Sequence, residues 1–548
     1  MLNSSGSFGK RNIGMIARNP SFLVSEQVDL NTRAARSRTR SRSRTRHRRP
    51  LQRSYDKQIT VLVVVLFTAG LASLTAAYYF YATTFGRSTT VRPLDALVLP
   101  GAADSMYTQA TLPVASSKRL SVSASDNFLA YLPHSGFHNQ RIALENALVL
   151  ARILNRTLLL PPIRLGLPLS YAPFDELYRL SANASKATLE YCQDVTLYRI
   201  DTPPECEEYS HIPWEWLVDL TNIRSEQRFL EGWNFTDAWL ADELGISADD
   251  IFYLKDTSRN EYSFQDFFSL EPPARKFFQS VNIGALARRP ERLIQIGTLF
   301  GSSRLHFNST ANYNLRKHVR EQMAFNNPHL ARAADAIRDD LGGSYLGVHL
   351  RIGDGVFEWN APEIVRLAWW KLLHLALGLS DEEILALEQQ LFPEDPEPEP
   401  PSFKADIPAL RTPHPPLPPF PADARPSSSR ISCRAPVHKS PHLKRFNAPV
   451  FISTDAESPA FNPLLFRFTR SFPCTFFLED FPDSVSSLGE LNSPVDGVPL
   501  GPYLMPFLDA MVVGQAWQFV GTEHSTFSTF VADVLWRTYH GFEIVQRG

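Results

Sequence analysis

Three short stretches carry side chains whose types and spacing suit the transfer of a charged group. In "GVHLRIGDG", His349 and Arg351 leave an apolar run on the same face, and Asp354 follows three residues later. A guanidinium keeps its proton at any ordinary pH, so an arginine fixed at a strand end is a permanent stabiliser of a leaving diphosphate. The same spacing also fits an Arg351–Asp354 ion pair that only closes a loop. In "FVGTEHSTFSTFV", Gly521, Thr522, Ser525, Thr526 and Ser528 stand between an apolar run and a helical pattern. Hydroxyls at such a turn can donate to phosphate oxygens, and they cap helices equally well. In "HSGFHNQRIALENALVLARILNRTLLLPP", residues Ser135 to Gln140 precede an apolar helix pattern that does not explain them. A turn there leaves helix amides free and aims the positive end of the dipole outward, although a Ser or Asn N-cap is the plainer use. Asp455 follows the run "PVFIST", where it can accept from a ribose or base, or simply make a turn.

Such groups need strands that end where the polar residues begin. "FLAYLP", "RTLLLPP" and "RLIQIGTLFG" read as strands, while 164–300 otherwise reads as helices and long loops. A second strand–turn–helix region starts near Gly342 and includes "SYLGVHLRIGD", "APVFISTDAESPAF", "CTFFLEDF" and "AWQFVGTEHSTFSTFVADVLW". The expected fold is α/β, with two Rossmann-like halves facing a cleft, at 124–340 and 341–548. A helix from Ala361 to Leu391 precedes a proline-rich insert, about 392–445, which reads as a disordered loop. Arg141, Glu145, Arg152 and Arg156 fall on one polar stripe, with Arg141 and Glu145 an i,i+4 pair on the helix exterior.

The chain has 548 residues, 44% of them apolar, and a net charge of −2 that hides a lopsided distribution. Residues 1–57 form a polar tail in which arginine recurs from Arg33 to Arg53 with no acidic residue between. Gln58 to Gly86 has no charged residue and exceeds the roughly 20 residues needed to span a bilayer. The arginine block beside it reads as an orientation signal rather than an RNA-binding tract, which leaves the N-terminus cytosolic and the rest lumenal. Residues 87–123 read as a stem. Sequons at Asn155, Asn183, Asn234 and Asn308 all lie beyond the span. Cys192 with Cys206, and Cys433 with Cys474, are the expected disulfides out of three connectivities. No Cys/His spacing suggests a structural metal.

Taken in order, the Phe-x-Asn-Gln turn with "ILNRTLLLPP", the "HLRIGD" strand and the "GTEHSTFS" turn resemble the GDP-fucose protein O-fucosyltransferase family, as a fungal-type, membrane-anchored member would. The resemblance covers roughly 127–163, 344–354, 448–455 and 505–535. It implies a GT-B fold, a Golgi or ER type II membrane protein, GDP-fucose as donor, a protein or glycan acceptor, inversion at the anomeric carbon and no metal or other cofactor. It gives Arg351 the catalytic arginine's role and puts Asn139 beside donor and acceptor, with His138 the candidate base. Gly136, Phe137, Asn139, His349, Arg351, Asp455, Ser525, Thr526 and Phe527 are its implied donor-binding set. Another sugar-nucleotide transferase, metal-dependent through Asp455 and Glu457, is one rival reading. A membrane-tethered binding protein without turnover is the other.

Overall fold

A computed structural model describes residues 123, 125–184, 208–268, 276–393, 400–401, 413–427 and 430–546. The arginine-rich tail, the expected span, nearly all of the stem, and the Cys192–Cys206 pair lie outside the described residues. Among the described residues no helix is long and apolar enough to cross a membrane.

Two parallel sheets organise the body. The first uses β1 (Phe128–Tyr131), β2 (Thr157–Leu159), β3 (Phe229–Leu230), β4 (Ile251–Leu254) and β5 (Leu293–Ile296) in the order β3-β2-β1-β5-β4. The second uses β6 (Leu346–Leu350), β7 (Val450–Thr454), β8 (Thr475–Phe476) and β9 (Gln518–Gly521) in the order β8-β7-β6-β9. β1 and β6 are buried along their whole length, as the apolar runs of parallel strands covered on both faces require. Strand order reverses beside β1 in one sheet and beside β6 in the other, and ligands bind outside the carboxyl ends at such points. The chain is therefore α/β with parallel sheets, the class expected. The expectation for 164–300 missed β3 and β4, whose runs of two and four residues are too short to show a period.

Six helices matter here: α1 (Phe137–Ile153), α2 (Thr310–Gln322), α3 (Ala361–Leu377), α4 (Asp381–Leu391), α5 (Gly501–Gln515) and α6 (Thr526–Phe530). α3 and α4 correct the single helix expected from Ala361 to Leu391. Gly378, at φ +63°, ends α3 in the left-handed region, and Ser380 restarts the chain through a capping box with Glu383.

α1 is buried from Gln140 through Ala151, on every side. Arg141 and Glu145 are accordingly not an exterior pair: they are 3% and 2% exposed, 3.8 Å apart. Glu145 also accepts from Arg320 of α2 at 2.9 Å, and Arg141 lies 4.5 Å from the Phe530 ring centroid. At Arg141 and Glu145 the stripe opposite the apolar face meets a second layer instead of water, so these charges are matched in the interior, while Arg152 stays half-exposed beside Glu226. Arg156, from the same expected stripe, is buried and donates to the carbonyls of Phe128, Arg289, Glu291 and Arg292.

The insert is also corrected where it is described. Pro418 O accepts from Trp517 Nε1 at 2.9 Å, the Phe420 ring sits 5.1 Å from Trp517, and His414 stacks on Phe542 at 5.0 Å. Cys433 is bonded to Cys474, as expected. Proline excludes helix and sheet at 413–427 without excluding order, because aromatic and carbonyl contacts need neither. Asn155, Asn183 and Asn308 are exposed; Asn234 is half-buried, with Oδ1 accepting from the Thr236 hydroxyl at 2.7 Å.

Candidate active site

The three polar turns emerge from carboxyl ends of strands in the two sheets and meet. β6 delivers His349 to the interior, 5% exposed, where its Nδ1 and the Ser528 hydroxyl are 2.6 Å apart. The His349 ring stacks on Phe527 at 4.1 Å, and Phe527 meets the His138 ring edge-on at 5.4 Å. Phe527 is thus the hinge pin between the first and third turns. Burial, reinforced by Arg351, pushes His349 down to about 3, so it is neutral and serves as a hydrogen-bonding group.

Arg351 is fixed through its backbone. Its amide donates to Thr522 Oγ1 at 2.9 Å, and the amides of Ile352 and Gly353 both donate to Asp455 Oδ1 at 2.7 and 2.9 Å. A Cβ on Gly353 would fall 2.5 Å from the Asp455 carbonyl oxygen, so only glycine lets the loop seat there. The Arg351 side chain is half-buried and pairs with Asp354, Nε to Oδ1 at 3.1 Å and Nη2 to Oδ2 at 2.7 Å. The ion pair anticipated as the bland reading therefore exists. A more highly charged diphosphate can compete with Asp354 for the same guanidinium face.

The N-terminus of α1 is open. Gly136 is its N-cap, no side chain caps it, and its first turn holds no acidic residue. The Ser or Asn cap weighed for this turn is thus absent, and Asn139 Oδ1 is buried with no hydrogen-bond partner among the described residues. Phe137 departs from its implied donor-binding role. It is 8% exposed and packs against Trp214, Phe325 and Phe507, which makes it a core anchor for the turn. Ser525 is 1% exposed and caps α6 by accepting from the Ser528 amide at 3.3 Å, while Thr526, half-buried, opens that helix. Asp455, spent on two amides, positions the arginine loop. Between the start of α3, with the residues just before it, and the turn after β9 a cavity of ≈ 200 Å³ is lined by Phe357, Asn360, Ile364, Gly521, Thr522 and Glu523. Among the described residues no group of three or more His, Cys, Asp or Glu side chains is placed to hold a metal.

One residue of this region was not anticipated. Asp509 of α5 faces Ser453, which lies opposite His349 in the sheet register, and its Oδ1 is buried without a hydrogen-bond partner among the described residues. A lone acid in "PFLDAMVV" is the available signal, since an apolar helix face rarely carries one without cause. Burial pushes its carboxyl up to about 8, opposed by Ser453. Its stabilising contribution is full below the ordinary 3.8 and is lost as pH rises through about 8. Asp509→Asn is therefore expected to flatten the fall in Tm across that window. Thermal melts at stepped pH test it, and an unchanged slope rules it out.

Two parallel sheets whose polar turns meet define an α/β protein in which those turns come together at the carboxyl ends of the strands. No family model matches the chain. Over 36 residues, 7% of this chain and 7% of the relative, it is 64% identical to O-fucosyltransferase 30 of Arabidopsis thaliana, so the match spans a small part of that relative's length. Two solved structures are similar at 13% identity. POFUT1 in complex with GDP covers 74% of this chain and 93% of its own with a TM-score of 0.31. POFUT1 in complex with GDP-fucose covers 75% and 94%, also at 0.31.

Proposed function

We propose that this chain is a glycosyltransferase of the GT-B type that moves fucose from GDP-fucose to an acceptor hydroxyl, with inversion and without a metal. The observation that carries the reading is the meeting of the open α1 turn, Arg351 and the Phe527–Ser528 turn at the carboxyl ends of two parallel sheets. The 36-residue stretch shared with O-fucosyltransferase 30 supports the same donor class. In the reaction the acceptor oxygen attacks C1 in line, the bond from C1 to the β-phosphate oxygen breaks, and GDP departs. Arg351 and the positive N-terminal end of α1 face the charge that builds on the diphosphate. Asn139 orients the reacting groups, and the acceptor's proton passes to His138. The arginine-rich tail and the 58–86 stretch anchor the protein as a type II membrane protein of the Golgi or ER, with the acceptor a protein or glycan.

Ligand-dependent thermal stability tests the donor. GDP-fucose at about 100 times its Kd adds about 2.7 kcal/mol to folded-state stability, and UDP-sugars are expected to add almost nothing. Stabilisation by UDP-sugars in preference to GDP-fucose overturns the donor assignment. Stabilisation by GDP-fucose without transfer or hydrolysis overturns the enzymatic one.

A further inference from the structure

At the carboxyl end of the first sheet, three neighbouring strands present one polar side chain each. His134 follows β1, Thr298 follows β5 and Asp256 follows β4. They form a line: Asp256 Oδ2 accepts from the Thr298 amide at 2.8 Å, Thr298 Oγ1 lies 2.7 Å from His134 Nε2, and His134 Nδ1 lies 2.8 Å from Ser135 Oγ. His134, Thr298 and Asp256 are 5%, 3% and 3% exposed. No step of the proposed reaction uses them.

Hydrogen-bond accounting fixes the direction of the line. Burial, aided by Arg259 and Arg304, pushes His134 down to about 3, so its ring is neutral and carries one N–H. Thr298 Oγ1 already accepts from the Phe300 amide at 3.1 Å, and His134 Nε2 is the acceptor in its reach among the described residues. Were Nε2 protonated, Thr298 would accept twice and bury its own proton unsatisfied, which costs more than a bond gained. Thr298 therefore donates to Nε2, the proton sits on Nδ1, and Nδ1–H donates to Ser135 Oγ. The Ser135 hydroxyl is left with a proton to give.

Ser135 is built to hold that proton in one place. It occupies the left-handed region at φ +64°, its amide donates to Leu169 O at 2.6 Å, and its carbonyl accepts from Gln140 Nε2 at 3.0 Å. Gln140 in turn donates to Arg164 O at 2.9 Å and accepts from the Arg164 amide at 3.0 Å, which ties the turn to the neighbouring chain. A non-glycine residue in that conformation persists where surroundings over-determine it. The side chain borders a small cavity of ≈ 20 Å³ lined by Pro133, Gln140, Arg164, Leu169 and His211, all from the first half. The nucleotide-side groups His349, Arg351 and Ser528 belong to the second half.

We propose that Ser135 donates a hydrogen bond to an oxygen of the acceptor substrate, and that His134 and Thr298 are positioning residues that aim it. The inference rests on the transferase reading. The line cannot relay a proton, because Thr298 reaches Asp256 through its amide and not its hydroxyl; it orients.

The test combines kinetics with a tautomer measurement on the full-length chain. Ser135→Ala and Thr298→Val are each expected to lower kcat/KM for the acceptor about 10-fold, while stabilisation by GDP is unchanged. Thr298→Ser, which keeps the hydroxyl, restores it, and the double variant is no worse than Ser135→Ala alone. In ¹⁵N-histidine-labelled protein, His134 is expected as the Nδ1–H tautomer. An Nε2–H tautomer, additive losses or a wild-type kcat/KM in Ser135→Ala overturns this inference and leaves the transferase reading standing. Wild-type protein that turns over no GDP-sugar overturns both.

Discussion

Arg351→Ala is expected to abolish transfer, by at least ~10³-fold in kcat, while the protein melts within about 2 °C of wild type. The two halves of that expectation have separate causes. The side chain is 35% exposed and its Asp354 partner 61%, so the pair is a surface ion pair worth about 0–1 kcal/mol. The loop keeps its shape without it, because Thr522 and Asp455 hold the backbone amides of residues 351–353. What disappears is the fixed positive charge facing a leaving diphosphate. Arg351→Lys should recover little, since an ammonium cannot present the planar two-point contact. Single-turnover transfer with GDP-fucose, read beside a thermal melt, separates the two effects. Near-normal turnover in the alanine variant would falsify the role given to this arginine.

Glu388→Ala is the substitution expected to cost most in stability, about 3–5 kcal/mol, or a fall of ~10 °C in Tm. Glu388, 2% exposed on α4, accepts from Arg366 Nε and Nη2 at 2.9 and 2.8 Å and from Trp370 Nε1 at 3.1 Å. Arg467 donates to it as well. Two guanidinium groups out of contact with most solvent then face a methyl instead of a carboxylate, and the indole loses its acceptor. Because Glu388, Arg366, Trp370 and Arg467 do not line the cavity beside Gly521–Glu523, turnover per folded molecule should hold near wild type at low temperature. Differential scanning calorimetry decides it; a change below 2 °C would mean that water or another acid replaces the carboxylate.

The candidate site was legible in the sequence wherever a polar cluster interrupted an apolar run. "HLRIGD" and "GTEHSTFS" stood out because strands buried on both faces leave no room for charge until they end. The role of Asp455 could not be read, since accepting two amides and accepting a ribose demand the same residue at the same place. His134 and Asp256 lie more than a hundred residues apart, and only strand order makes them neighbours. The burial of Arg141 and Glu145 depended on a second layer supplied by Arg320 and Phe530, which helical periodicity cannot report. The break between α3 and α4 was in plain view as Gly378 and Ser380-x-x-Glu383, and the strength of the flanking apolar pattern masked it.

The place of β6 in its sheet sets a timetable for the chain's manufacture. It pairs with β7, a hundred residues on, and with β9, later still, so neither neighbour exists when β6 leaves the ribosome. The amide of Arg351 waits for the hydroxyl of Thr522, 171 residues downstream, and His349 waits for Ser528. Parallel pairings of such long separation close slowly and only after the intervening chain is made. Truncation between about residues 300 and 520 therefore leaves every strand of the first sheet in place and the arginine loop without its Thr522 clamp. Nascent chains should gain their site in a single late step, with the last strand and the turn after it.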